Sequence, residues 1–360
     1  MKKLALLLVL VTAVSLLAGV STDLSAPKVE STDGTLVVTS DSYTMDRTYE
    51  SMAGPGSLID GFALSNKPED AGKIFWLKSI RVDTLQPDGK AASNEYFCHA
   101  NLKFDVPAPM HNSRFPGRHH MPKRLLTLTE GRMRIDLPEG FGIPIYAETE
   151  LGFDTMSHNL NHESDKESPQ VKFRATVDYL TTGEENGKPL RPLFRRTVYM
   201  YDAADKPDFQ ALAESDSEFC GTVDAQAEGL PRIGDNPIHW SVPPGEHTYV
   251  LPADEQLFLS FDTTVHYAAA HFHNYCEWMR LVNKATGEKV LEFTGTPYAG
   301  ERGMAAISDV VSKDGIPLTS ASSYELQVRY NNPTTENIDA MAILYLYLLE
   351  PGIESGDQST

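Results

Sequence analysis

The sequence predicts an all-β protein: two antiparallel, jelly-roll-like β-sandwich domains packed side by side. Three observations predict it. Polar and apolar residues alternate with period two, turn residues recur at short intervals, and the segments between them have strand length. The 360-residue chain carries 25 Gly and 23 Pro, and its 41% hydrophobic content can supply a sizeable core. Lys and Arg total 31 against 50 Asp and Glu, a net charge of −19. That balance excludes nucleic acid and an anionic membrane surface as natural partners.

Taken in chain order, Met1-Lys2-Lys3 followed by the apolar run Leu4 to Ala18 and the small residues Gly19-Val20-Ser21 reads as a signal peptide over residues 1–21. The mature protein is then expected to be secreted or periplasmic, with no membrane contact after cleavage. A first sandwich is expected over 22–204, where Ser79 to Thr84, Arg132 to Leu137 and Lys172 to Tyr179 alternate. Residues 205–236 are rich in Asp, Ala, Glu, Gly and Pro and read as a linker, with one weak helical stretch at Asp208 to Glu214. A second sandwich is expected over 237–350. Its signals are dense apolar runs at Leu257 to Phe261 and Met341 to Leu349, alternation at Tyr324 to Tyr330, and a hairpin loop at Lys284-Ala285-Thr286-Gly287. Residues 351–360 read as a disordered acidic tail.

The chemistry lies in the histidines. All 11 fall between His99 and His273. In Val265 to His273, strand alternation puts His271 and His273 on one face, after Tyr267 and Ala269, with His266 and Phe272 on the other. Two imidazoles on a rigid strand form a clamp for a transition metal, although His-x-His alone fits a solvated face equally well. Met341 stands at the head of the last strong strand. A core role is its default. As a thioether beside two imidazoles it would favour copper over zinc.

On these residues the chain resembles the copper type II, ascorbate-dependent monooxygenases. The resemblance covers about 237–349. It rests on Ala270-His271-Phe272-His273, Glu277 to Leu281, Tyr330 to Pro333, Asp339-Ala340-Met341, and the entry segment Ile238 to Gly245. It implies a catalytic copper on His271, His273 and Met341, one to two coppers per chain, and ascorbate or another reductant. It also implies a small-molecule or peptide substrate hydroxylated with O2.

For a copper in the first sandwich two placements compete. His119-His120-Met121 copies the family's string but sits among cationic residues, Arg114, Arg118, Lys123 and Arg124. Cys98 and His99 in the strand Tyr96 to Leu102, with the later His158, are preferred. There Cys98 replaces a family histidine, and a bulge is needed to bring Cys98 and His99 to one side. A disulfide of Cys98, for instance to Cys220, would leave that site two imidazoles. His239 reads as a packed structural histidine and Asp339 as a turn residue. The alternative function is a noncatalytic exported copper-binding protein serving storage, delivery or sensing; a metal-free carbohydrate- or protein-binding module is a third. Substrate, cysteine pairing and oligomeric state are left open.

Overall fold

The computed structural model describes residues 27–104, 123–201 and 238–350, apart from 33, 52 and 165. The signal peptide, the linker, its helical stretch, the acidic tail, Cys220 and the His119-His120-Met121 string lie outside the described residues.

The chain is all-β, built of mainly antiparallel sheets stacked as sandwiches, with one parallel pair, Phe141–Tyr146 beside Arg191–Tyr199. One large sheet runs through both halves. Its first-half strands are Lys28–Thr32, Thr35–Thr39, Gln170–Leu180, Ile74–Leu85, Phe141–Tyr146 and Arg191–Tyr199. Ala342–Leu349, Thr263–Phe272 and Asp309–Leu318 continue it from the second half. The junction is the antiparallel pair Arg191–Tyr199 with Ala342–Leu349, in register from Leu193 opposite Leu349 to Tyr199 opposite Ile343. A four-stranded sheet of Gly56–Phe62, Leu151–Ser157, Phe97–Phe104 and Arg124–Thr129 covers the first half. Another, of Gly245–Pro252, Tyr324–Asn332, Cys276–Asn283 and Lys289–Phe293, covers the second.

Alternation explains why these segments are strands. In Ala342–Leu349, Ile343, Tyr345 and Tyr347 join one core while Ala342, Leu344, Leu346 and Leu348 join the other. Both faces are apolar because both are covered. The expected hairpin loop is present. Asn283 N–H donates to the Glu288 carbonyl at 2.9 Å, and Gly287, at φ 70°, makes the left-handed step that a side chain would resist.

One strand expectation fails. At Leu257 to Phe261 the chain instead makes a single helical turn, Asp254–Leu257, which ends on Phe258 in the left-handed region at φ 44°. Tertiary hydrogen bonds override the local apolar pattern. Asp254 accepts from Tyr324 N–H at 2.7 Å, and the Leu257 carbonyl accepts from Arg196 Nε at 3.0 Å.

The first half's four-stranded sheet places the site. Its inner face, with Ala100, Leu102, Leu126, Leu128 and Phe153, belongs to the first core. By alternation His99, Asn101, Thr127, Thr129 and Asp154 point outward, yet His99, Asn101, Thr127 and Thr129 are buried. They are buried because the junction strand and the second half cover them: Arg195 donates to Thr127, and Met304 N–H of the second half donates to Glu130 Oε1 at 2.7 Å. The seam between the halves is therefore lined with polar groups.

Candidate metal centre

His271 and His273 come from the end of Thr263–Phe272 and the residue after it. His271 is in register with Ile343, and the His273 N–H donates to the Met341 carbonyl at 3.3 Å. Met341 thus stands opposite His273, in the same core as Ile343, Tyr267 and Ala269. Phe272 lies in the other core. Tyr330 holds this strand end: its hydroxyl donates to the Met341 carbonyl at 2.7 Å and accepts from His273 N–H at 3.2 Å. The two imidazole rings meet edge to face, 5.3 Å between centroids.

A third imidazole and a carboxylate join them. Trp240–Val242 pairs with Ile338–Ala340, Trp240 opposite Ala340. That pairing brings His239 to Asp339, with Nδ1 at 3.0 Å from Oδ1, while His273 Nδ1 lies 3.1 Å from Asp339 Oδ2. Ligand atoms of His239, His273 and Asp339 all fall within 4.8 Å of one another. His273 Nε2 also meets the Ser51 hydroxyl of the first half at 3.3 Å.

The first half faces this group with its own imidazoles. His99, in strand Phe97–Phe104, lies beside Asp154 (Nε2 to Oδ1, 4.0 Å), and His158 lies beside Glu130 (Nε2 to Oε1, 3.8 Å). The ladder to Leu151–Ser157 steps from Met156 opposite His99 to Ser157 opposite Phe97, so Cys98 is the extra residue of a bulge. Its Sγ sits 3.4 Å from His99 Nδ1. Of the residues singled out from the sequence, Cys98, His99, His158, His271 and His273 are thus gathered at one seam. His239 and Asp339, read as structural, stand in it too. Glu130 and Asp154 were not singled out at all. Only strand pairing, between positions about a hundred residues apart, brings His239 to Asp339, and no local spacing signals it.

Charge is distributed unevenly here. Burial holds His271 well below the ordinary imidazole range, and the neighbouring His273, His99, His239 and His158 push it further the same way. Burial also lowers His158, against the opposing charge of Glu130. For His273 burial pulls downward, but the hydrogen bond and charge of Asp339 outweigh it and raise the group. Burial would raise Asp339; the hydrogen bonds and charges of His239 and His273 instead hold it far below the carboxylate range.

The signs set an expected acid response of the metal-free protein. Keeping His158 and His271 neutral costs nothing above about pH 6.5, the ordinary imidazole value. Below it the unfolded chain takes up protons that the folded one refuses, so stability falls. His273 works the other way, since its raised value adds stability on the acid side. His266, buried elsewhere in the second half, is lowered by burial as well, so three lowered imidazoles stand against one raised and the urea midpoint is expected to drop between pH 7.5 and 5.5. A midpoint that rises over that interval would contradict these directions.

Comparison with known proteins yields no family. No family model matches the chain, and no curated protein matches it. Among solved structures it is similar to a structure of Sulfolobus Turreted Icosahedral Virus, with 11% identity, a TM-score of 0.34 and coverage of 89% of this chain and 92% of that one. It is also similar to the major capsid protein P2 from bacteriophage PM2, at 9% identity and a TM-score of 0.30, covering 88% and 99%. A third is Cowpea mosaic virus in naturally occurring empty particles, at 7% identity and a TM-score of 0.35, covering 97% and 98%. At these identities and scores the likeness assigns this chain neither an assembly nor a partner.

These findings correct the monooxygenase resemblance. No family model and no curated relative supports that family, and the solved structures named above are of viruses and a viral capsid protein, not of copper monooxygenases. With it fall the oxidoreductase activity, the substrate and O2 as partners, and the alternative of an exported copper protein for storage, delivery or sensing. The geometry supplies a physical reason. Hydroxylation would need a centre open to O2 and a substrate, whereas His99, His158, His239 and His271 are all buried in the seam.

Proposed function

We propose that this is an exported structural protein whose seam between the two sandwiches is held by a borderline transition-metal ion. The observation that carries the reading is the convergence of His239, His273 and Asp339, with ligand atoms within 4.8 Å of one another. The residues fit such an ion. Beside them, His271 Nδ1 is buried without a hydrogen-bond partner, and burial favours the neutral imidazole that a metal requires. Two imidazoles and a carboxylate accept copper, the ion expected from the sequence, as well as zinc, and Met341 opposite His273 offers a softer donor. Cys98, His99 and His158 stand across the seam as further donors. A bound ion would supply a cross-link, and the binding energy of a structural site is folding energy. Within the protein, Ser51 and Tyr330 orient His273, and Asp339 orients both His239 and His273. Export rests on the N-terminal apolar run.

The test is to strip the protein with chelator and titrate zinc and copper(II) separately. One ion bound per chain is expected, with stability raised by about 3 kcal/mol once the free ion exceeds Kd a hundredfold. His273→Ala and Asp339→Asn should each weaken binding by at least about tenfold. Failure of both ions to bind, or unchanged binding in both variants, would refute the reading.

A further inference from the structure

Arg195 is fully buried, in the strand that joins the two halves. Its neighbours are neutral. Nε donates to Thr197 Oγ1 at 3.2 Å, Nη1 donates to Thr127 Oγ1 at 2.8 Å, and Cζ lies 4.8 Å from the centroid of the Tyr345 ring. Among the described residues no carboxylate forms an ion pair with it. The nearest carboxylate in its hydrogen-bonded chain is Asp154, reached only through Thr127 and Asn101. Nη2 has no hydrogen-bond partner among the described residues.

Directly across the ladder from Arg195 is Tyr347, its register partner. Side chains so paired share a face about 5 Å apart at Cβ. The Tyr347 hydroxyl is likewise buried; the Thr127 backbone N–H points at its oxygen, and among the described residues its own O–H finds no acceptor. Burial raises its pKa, and the Arg195 charge works against that rise, so the guanidinium and the hydroxyl sense each other. Both side chains reach Thr127, Arg195 through Nη1 and Tyr347 at its hydroxyl oxygen, so two donors without acceptors lie about one buried threonine, and one of them carries a charge with no counter-charge among the described residues. Sealing an unpaired charge from water costs several kcal/mol. Water would satisfy the hydrogen bonds but leave the charge.

We propose that the seam holds a monatomic anion, chloride under physiological conditions, between Arg195 Nη2 and Tyr347 Oη. A halide accepts from both donors, neutralises the guanidinium, and needs no space for further atoms. This site is independent of the metal centre, and each can fail without the other.

The experiment compares thermal unfolding of the full protein in chloride and in gluconate at equal ionic strength, with bromide as the crystallographic probe. The unfolding midpoint is expected to rise with chloride and saturate. Tyr347→Phe, which keeps the ring and removes the donor, should raise the half-saturating chloride about tenfold. Arg195→Met should abolish the response. Crystals grown in bromide should show an anomalous peak between the two side chains. A chloride response unchanged in Tyr347→Phe would overturn the proposal. So would a bromide-grown crystal with an ordered water and no anomalous signal there, a measurement that stands even if Arg195→Met does not fold.

Discussion

Asp339→Ala is expected to lower the stability of the metal-free protein by roughly 3–5 kcal/mol, the loss typical of breaking a buried ion pair from one side. The carboxylate is the shared acceptor of His239 and His273, and its side chain is only 17% exposed, with the imidazoles at 6% and 12%. Removing it leaves two imidazoles in a closed seam, with His271, His99 and His158 nearby. The raised proton affinity of His273 has Asp339 as its main support, so the variant should also bring His273 back toward or below the ordinary range. Urea unfolding at pH 7 measures the first effect, and imidazole NMR titration the second. Asp339→Asn keeps one acceptor and should lose less. A loss below about 1 kcal/mol in Asp339→Ala would mean that the clamp does not act as described.

The second large effect is expected at Phe272, between the two histidines in sequence but on the other face of its strand. Phe272→Ala should cost about 3–5 kcal/mol, the transfer term plus the cavity left behind. The ring is fully buried in the second core and packs so closely on Gly295 that a Cβ there would come within 2.8 Å of its Cε2. Because His271 and His273 face the seam, their affinity for zinc or copper should change little, provided it is measured well below the unfolding transition. A metal affinity that collapses along with stability would show that the two faces are not separable.

The architecture was legible because its cause is local. Alternation in Lys172 to Tyr179 and Tyr324 to Tyr330, and the turn at Lys284 to Gly287, depend on which side of a strand meets water or core. The helical turn at Asp254–Leu257 was not legible, since what decides it are Tyr324 and Arg196, residues remote in the chain. The shared face of His271 and His273 follows from spacing alone. The addition of His239 and Asp339 does not, because it depends on strand pairing across most of the second half. The error about function had a different origin. A short His-x-His string with a later Met describes a donor set, and a donor set does not specify a reaction.

The strand Ala342–Leu349 is a wall common to both cores, and it is the last described strand in the chain. During synthesis everything before it must wait, with Phe194, Tyr267 and their neighbours unroofed, until this ribbon emerges. Neither half is therefore expected to stand alone when cut from the other at the connection. Trimming these eight residues should abolish soluble expression of the whole chain, not of one half.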